Sequence, residues 1–127
     1  MEKNVLKGSR TRENLMKAFA GESMARNRYC MFASVAEKEG LIEIAKIFRN
    51  TALNEKEHAE VYFKFLDGED VEINSVLYPS CLGNTLPNLL CAVKYEEEEH
   101  SQIYPEFGRI AKEEGFKEIS TAFYNIA

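Results

Sequence analysis

The chain has 127 residues, which is enough for one domain with a single core, and its net charge is −5. Acidic and basic residues are interspersed, so the sequence lacks the basic face expected of a nucleic-acid-binding protein. It contains no run of 18 apolar residues, which argues against a membrane span, and no apolar signal-peptide core at the N-terminus. Cys30, Cys81 and Cys91 form no Cys-x-x-Cys pair, so we expect reduced thiols in a cytoplasmic protein.

The first predicted helix runs from Thr11, a candidate N-cap, to about Glu39, and Gly40 ends it. Its inward stripe recurs at steps of three and four residues and is apolar except for the carboxylate of Glu22. The members of the stripe are Leu15, Phe19, Glu22, Ala25, Tyr29, Phe32, Ala33 and Ala36. A carboxylate on a core-facing stripe is costly unless something compensates its charge.

The second predicted helix, from about Ile42 to Leu66, repeats this feature more strongly. Its stripe consists of Ile44, Phe48, Thr51, Glu55, His58, Tyr62 and Phe65. Glu55 and His58 lie in the middle of it, and we interpret Glu-x-x-His as one oxygen and one nitrogen ligand for a metal ion. Such a motif is the half-site of carboxylate-bridged di-metal four-helix bundles. A lone Glu-x-x-His also occurs by chance, most often on a surface.

The second half of the chain begins with a long connection over residues 69–84, of the kind that crosses a ferritin-like bundle from end to end. The third helix starts at Thr85, a candidate cap, and continues to about Glu114 with a bend at Pro105. Residues 116–127 begin a fourth helix, and nothing is strongly strand-like. The sequence therefore predicts an all-α, ferritin-like four-helix bundle of two helical hairpins joined by a long crossover, with the fourth helix truncated.

The chain contains a weak internal repeat. Residues 36–48 can be aligned with residues 111–123 at an offset of 75, with six of thirteen positions identical, and Tyr29 then falls on Tyr104. The repeat predicts two hairpins related by a pseudo-twofold axis. Partners of the Glu-x-x-His motif would fall at positions 130 and 133, beyond the last residue, so we expect the fourth helix to stop short of its ligands.

The third helix carries an acidic run from Glu96 to Glu99, followed by His100. Consecutive glutamates usually form a solvated face, but successive helix residues point about 100° apart, so a helix that buries one face must turn one or two of them inward. The repeat equates Glu22 with Glu97, whereas a π-bulge would shift the register by one residue and favour Glu96 and Glu99. We interpret His100 as a surface residue.

Taken together, these motifs resemble the ferritin-like di-iron domain of the rubrerythrins. The matching stretches are residues 6–11, 18–29, 55–59, 63–66 and 104–111, so the resemblance extends over essentially the whole chain. It implies two iron ions, for which manganese or zinc could substitute, bound by Glu22, Glu55, His58, Glu96 and Glu99. It also implies that Tyr29 and Tyr104 hydrogen-bond the ligand carboxylates, although core tyrosines commonly bury a hydrogen-bonded hydroxyl.

The resemblance further implies a peroxidase that reduces hydrogen peroxide to water in oxidative-stress defence and forms a homodimer or higher homo-oligomer. The family's rubredoxin domain, with its two Cys-x-x-Cys pairs, is not found in this sequence, so the electrons would come from an external rubredoxin-type donor or from a donor domain outside residues 1–127. We expect residues 1–127 to form one ferritin-like di-iron domain, incomplete at the C-terminus. The alternatives are a ferritin-like bundle that oxidises and stores iron, and an inactive, metal-poor fragment.

Overall fold

The computed structural model describes residues 6–127, which contain helices and no strand. The helices are α1 (Arg10–Lys38), α2 (Ile42–Lys64), α3 (Thr85–Glu98), α4 (Tyr104–Glu113) and α5 (Lys117–Ile126), and a π-helical turn (Glu99–Ile103) joins α3 to α4. Because α3, the π turn and α4 form one continuous third helix, the chain is an all-α, ferritin-like four-helix bundle, as predicted. Within residues 6–127 no helix combines the length and the apolar character needed to cross a membrane.

The starts of the first and third helices differ from the predicted ones. Ser9, not Thr11, caps α1, because its hydroxyl accepts a backbone N–H of the first turn at 3.0 Å. Asn84, not Thr85, precedes α3. Thr11 is fully buried and donates its N–H to the carboxylate of Glu114 at 2.7 Å, which fastens the start of α1 to the end of α4. Both predicted caps were wrong because each threonine is engaged in tertiary packing.

The turns that close the two hairpins have the same geometry. Gly40 and Gly115, 75 positions apart, have φ angles of 78° and 91°, which glycine adopts without a steric penalty. In both turns the residue after the glycine donates its N–H to the carbonyl four residues before the glycine, at 2.8 Å. These are the bonds of a helix C-terminus that ends in a left-handed glycine. The backbone of these two turns agrees with the internal repeat.

Two apolar clusters fill the bundle on either side of a polar layer. One cluster contains Ala18 of α1 together with Tyr62 and Phe123, and the other contains Ala25 and Phe32. Glu22 lies on α1 between Ala18 and Ala25, and it is 1% exposed. The position where the two clusters meet is therefore occupied by a carboxylate.

The long connection is fastened to the bundle at several points. Arg12 of α1 forms an ion pair with Asp67 at 3.0 Å. Further along, the structure places the sulfur atoms of Cys81 and Cys91 in disulfide-bonding contact and leaves Cys30 as a free thiol. The prediction of three reduced thiols was therefore wrong for this pair. A spacing of ten residues could not show that the connection folds back onto the second turn of α3.

Candidate metal centre

Three side chains from the first hairpin converge in the polar layer. Glu22 comes from α1, and Glu55 and His58 come from successive turns of α2. One potential ligand atom from each residue lies within 4.8 Å of the other two. Both carboxylates are buried, whereas the His58 side chain is 35% exposed. Glu55 and His58 are adjacent because residues three apart in sequence lie side by side on a helix.

The unsatisfied atoms of this cluster fit a cation. The Oε2 atom of Glu22 is buried and, among the described residues, has no hydrogen-bond partner. It lies 3.6 Å from Nδ1 of His58, and Oε2 of Glu55 lies 3.9 Å from the same nitrogen. A buried carboxylate oxygen without a donor is costly, and a metal ion bound between these atoms would satisfy it. Carboxylate and imidazole ligands together suit iron, manganese or zinc.

Two tyrosines cross between the hairpins. The hydroxyl of Tyr29 on α1 donates to Glu96 on α3 at 2.7 Å, and that of Tyr104 on α4 donates to Glu22 on α1 at 2.7 Å. Tyr104 also approaches Glu99 at 3.3 Å. Both tyrosine residues are 3% exposed. Each hairpin thus orients a carboxylate of the other, an arrangement that agrees with the predicted pseudo-twofold axis.

The π turn determines which glutamates of the acidic run face the centre. Glu96 accepts the hydrogen bond of Tyr29 and Glu99 lies 3.3 Å from the hydroxyl of Tyr104, whereas Glu97 is exposed. The interval from Glu96 to Tyr104 is one residue longer than that from Glu22 to Tyr29. A π turn accommodates one additional residue within a helix. The alternative register with a π-bulge therefore describes the geometry, and the direct repeat to Glu97 does not.

Burial and neighbouring charges raise the pKa values of several side chains at the site. Burial raises the pKa of Glu55 to about 7, and burial together with the charge of Glu96 raises that of Glu99 to about 7. The nearby carboxylates of Glu22 and Glu55 raise the pKa of His58 to about 10, against the opposing effect of its burial. Burial also raises the pKa of Tyr104 well above its ordinary value, so its hydroxyl stays a donor. A cation would replace the protons on the carboxyl groups.

A cavity of about 400 Å³ adjoins the cluster. It is lined by the five predicted ligands and Tyr104, and also by Glu97, His100, Ile126 and Ala127. Sequence reasoning treated His100 as a surface residue, and its exposure agrees, yet it borders this cavity. It also treated Tyr62 as core, but the buried hydroxyl of Tyr62 has no partner in the described range. Tyr62 lies one turn after His58 on the same stripe, and that position could have indicated a tyrosine hydroxyl near the candidate metal site.

The fold and the site together define a class. A ferritin-like bundle that turns glutamates from three helices and one Glu-x-x-His motif toward its centre presents part of the ligand pattern of carboxylate-type di-metal proteins.

Comparison with known proteins agrees with this class. Residues 13–127 match the family model described as rubrerythrin, and the chain belongs to the rubrerythrin family. It is 53% identical over 126 residues to rubrerythrin-1 of Clostridium acetobutylicum and 48% identical over 122 residues to rubrerythrin of Nitratidesulfovibrio vulgaris. These alignments include 96% of this chain but only 65% and 64% of the two relatives. Family membership implies iron binding, for which the Glu22, Glu55 and His58 cluster is the candidate site.

Proposed function

We propose that this chain is a non-haem di-iron peroxidase module that reduces hydrogen peroxide to water with electrons from a rubredoxin-type donor. The observation that carries the proposal is the convergence of Glu22, Glu55 and His58 in a buried layer, with an unpartnered carboxylate oxygen at its centre. Membership of the rubrerythrin family supports it. In this proposal residues 1–127 form one ferritin-like domain that binds two iron ions.

The roles of the side chains follow from their positions. We propose Glu22, Glu55 and His58 as iron ligands, joined by Glu96 and Glu99 from the second hairpin. Bound iron would supply the two electrons that peroxide reduction requires, H2O2 + 2 e⁻ + 2 H⁺ → 2 H2O. Five ligand side chains from three helices are consistent with two adjacent ions, and manganese or zinc would fit the same donors.

In this proposal the tyrosines position the ligand carboxylates and do not contact the peroxide. Tyr104 donates to Glu22 and Tyr29 donates to Glu96, so each hydroxyl fixes the orientation of one carboxylate before a cation binds. Partners of this kind typically change metal affinity or activity 10- to 100-fold. Substrate would approach through the cavity beside His100, where the site meets solvent.

The proposal also includes the location and the oligomeric state of the protein. We place the protein in the cytoplasm as a homodimer or higher oligomer, in which the exposed apolar side chains of α2 and α3 would be covered. Sedimentation at several protein concentrations tests the assembly.

The activity is tested by adding peroxide to iron-loaded protein in the presence of reduced rubredoxin and following oxidation of the donor. We expect stoichiometric conversion of peroxide to water, which Glu55→Ala abolishes and Glu57→Ala, on the exposed side of the same helix, leaves unchanged. Oxygen-driven iron uptake without donor oxidation would instead identify an iron-storing bundle. Less than one iron per two chains after loading would identify a metal-poor scaffold.

A further inference from the structure

A second chemically reactive group lies outside the metal centre, where the long connection meets α3. Cys81 is the fourth residue before α3 begins, and Cys91 is on its second turn. Their Cα atoms are 6.7 Å apart, within the range that a disulfide spans, and their sulfur atoms are in bonding contact. Both residues are half-buried. The pair is therefore close enough to form a bond and accessible enough to react.

The two cysteines are held together by contacts that do not depend on the bond. The buried side chain of Asn88 accepts the N–H of Gly83 and donates to its carbonyl, both at 2.8 Å. Gly83 lies two residues after Cys81, and Asn88 lies three residues before Cys91. This pair of hydrogen bonds holds the connection against the start of α3 without involving the sulfurs, so we expect the reduced thiols to stay within reach of each other.

The bond would matter because α3 is thinly packed. Within α3 only Thr85 and Asn88 are buried, and its apolar residues Leu86, Leu90 and Val93 are each more than 60% exposed. Yet the third helix carries Glu96, which is five residues from Cys91 and thus about 7.5 Å further along the axis. A covalent link at Cys91 restrains the helix that carries a candidate ligand.

We propose that Cys81 and Cys91 form a reversible dithiol–disulfide couple that hydroperoxide oxidises and that tightens metal binding by fixing α3. One thiol sulfur attacks a peroxide oxygen, the O–O bond breaks, and a sulfenic acid and one water form. The second thiol then attacks the sulfenic sulfur, the S–S bond forms, and a second water leaves. The balance is 2 Cys–SH + H2O2 → Cys–S–S–Cys + 2 H2O, and a dithiol reductant reverses the oxidation. This chemistry does not require the peroxidase activity proposed above.

The oxidation is tested on the full chain loaded with zinc, which does not change its redox state and so separates the cysteines from any iron chemistry. The protein is first reduced with dithiothreitol and freed of it, and one equivalent of hydrogen peroxide is added. We expect the number of free thiols to fall from three to one, with a Cys81–Cys91 cross-linked peptide after digestion and Cys30 unmodified. Three thiols remaining, or oxidation of Cys30 instead, would overturn the proposal.

The effect on the metal centre is tested by zinc titration of the oxidised and reduced forms. We expect zinc to bind the oxidised form about 5- to 10-fold more tightly, and the melting temperature of the oxidised form to be about 5 °C higher. In Cys81→Ser and in Cys91→Ser, the oxidised and reduced samples should bind zinc with the same affinity. Cys30 packs against the same core cluster as Cys81 and Cys91, so Cys30→Ser is the control, and it should keep the difference in zinc affinity. Equal affinities in the unsubstituted protein, or a redox difference that persists in Cys81→Ser, would contradict the coupling.

Discussion

Each of the two helical hairpins has the same kind of closing turn and an inward-facing tyrosine. They differ in the spacing between the inward carboxylate and that tyrosine, which is one residue longer in the second hairpin. In the first hairpin Glu22 and Tyr29 lie on one uninterrupted α-helix, two turns apart. In the second hairpin the extra residue between Glu96 and Tyr104 is taken up by the π turn. The comparison shows what that residue does: it keeps Glu96 and Tyr104 both facing the centre and brings Glu99 beside them as an additional carboxylate.

The largest effect on stability and iron binding should come from removing the extra residue of the second hairpin. Deletion of Gln102 from the π turn should restore α-helical geometry and rotate Glu96 by about 100° relative to Tyr104. At least one of the two tyrosine–carboxylate bonds would then be lost, at a cost of about 2–4 kcal/mol in unfolding free energy. Chemical denaturation and iron analysis measure the two consequences, lower stability and loss of bound iron.

The matched control is deletion of Leu77, which is 98% exposed in the long connection. That deletion should change the unfolding free energy by less than about 1 kcal/mol and leave iron content unchanged. If deletion of Gln102 were as harmless as deletion of Leu77, the π turn would not position the carboxylates.

The two histidines provide the next contrast, one from each hairpin. His58→Ala should lower iron affinity at least about 100-fold, because the variant lacks the candidate nitrogen ligand of the cluster with Glu22 and Glu55. His100→Ala should change it less than about threefold, since His100 only borders the cavity. Competition with a chelator of known affinity measures both. A larger effect from His100 would move the centre toward the second hairpin.

The pH dependence of the metal-free protein tests the burial of one carboxyl group in each hairpin. Burial raises the pKa of Glu55 and of Glu99 to about 7, so the folded protein holds protons that the unfolded chain releases near pH 4.5. This stabilisation is complete below about pH 4.5 and is lost as pH rises through 7. The raised pKa of His58 acts in the same direction, up to about pH 10.

We therefore expect chelator-treated protein to lose roughly 2–5 kcal/mol of unfolding free energy between pH 5 and pH 8. Thermal melts across this range measure it, and Glu55→Gln should make the curve shallower, because the amide does not titrate while Glu99 and His58 still do. Stability that rises with pH over the same interval would show that these carboxyls are not buried as described.

The smallest effects should come from the tyrosines. Tyr29→Phe and Tyr104→Phe each remove one hydroxyl that donates to a carboxylate, which should cost about 1.5 kcal/mol of stability and about 10-fold in iron affinity. Because the hairpins are pseudo-symmetric, the two losses should be similar, with Tyr104 slightly larger since it also approaches Glu99. Tyr124→Phe, at an exposed position, is the control. Losses that differ tenfold would mean that the symmetry does not extend to the ligands.

Much of this arrangement could be predicted from the sequence because it depends on helical period. The stripes that carry Glu22, Glu55 and His58 face inward as predicted, since apolar neighbours at steps of three and four fix the face of a helix. Gly40 and Gly115 gave the hairpin turns in the same way, because few other residues adopt their backbone conformation at low cost.

Other features depend on contacts between distant segments, which no local pattern encodes. The repeat pointed to Glu97 because an alignment without gaps cannot show a single inserted residue. Thr11 resembles a cap in sequence, but it bonds Glu114 across the bundle, more than one hundred residues away. Likewise, only the folded connection reveals that Cys81 and Cys91 meet.

Diffraction from crystals of the iron-loaded protein, recorded at wavelengths above and below the iron absorption edge, tests the central claim most directly. We predict anomalous peaks at roughly 2 Å from carboxylate oxygens of Glu22 and Glu55 and from a ring nitrogen of His58, with Glu96 and Glu99 on the opposite side. Iron bound only at exposed glutamates, with no peak between Glu22 and His58, would contradict the account.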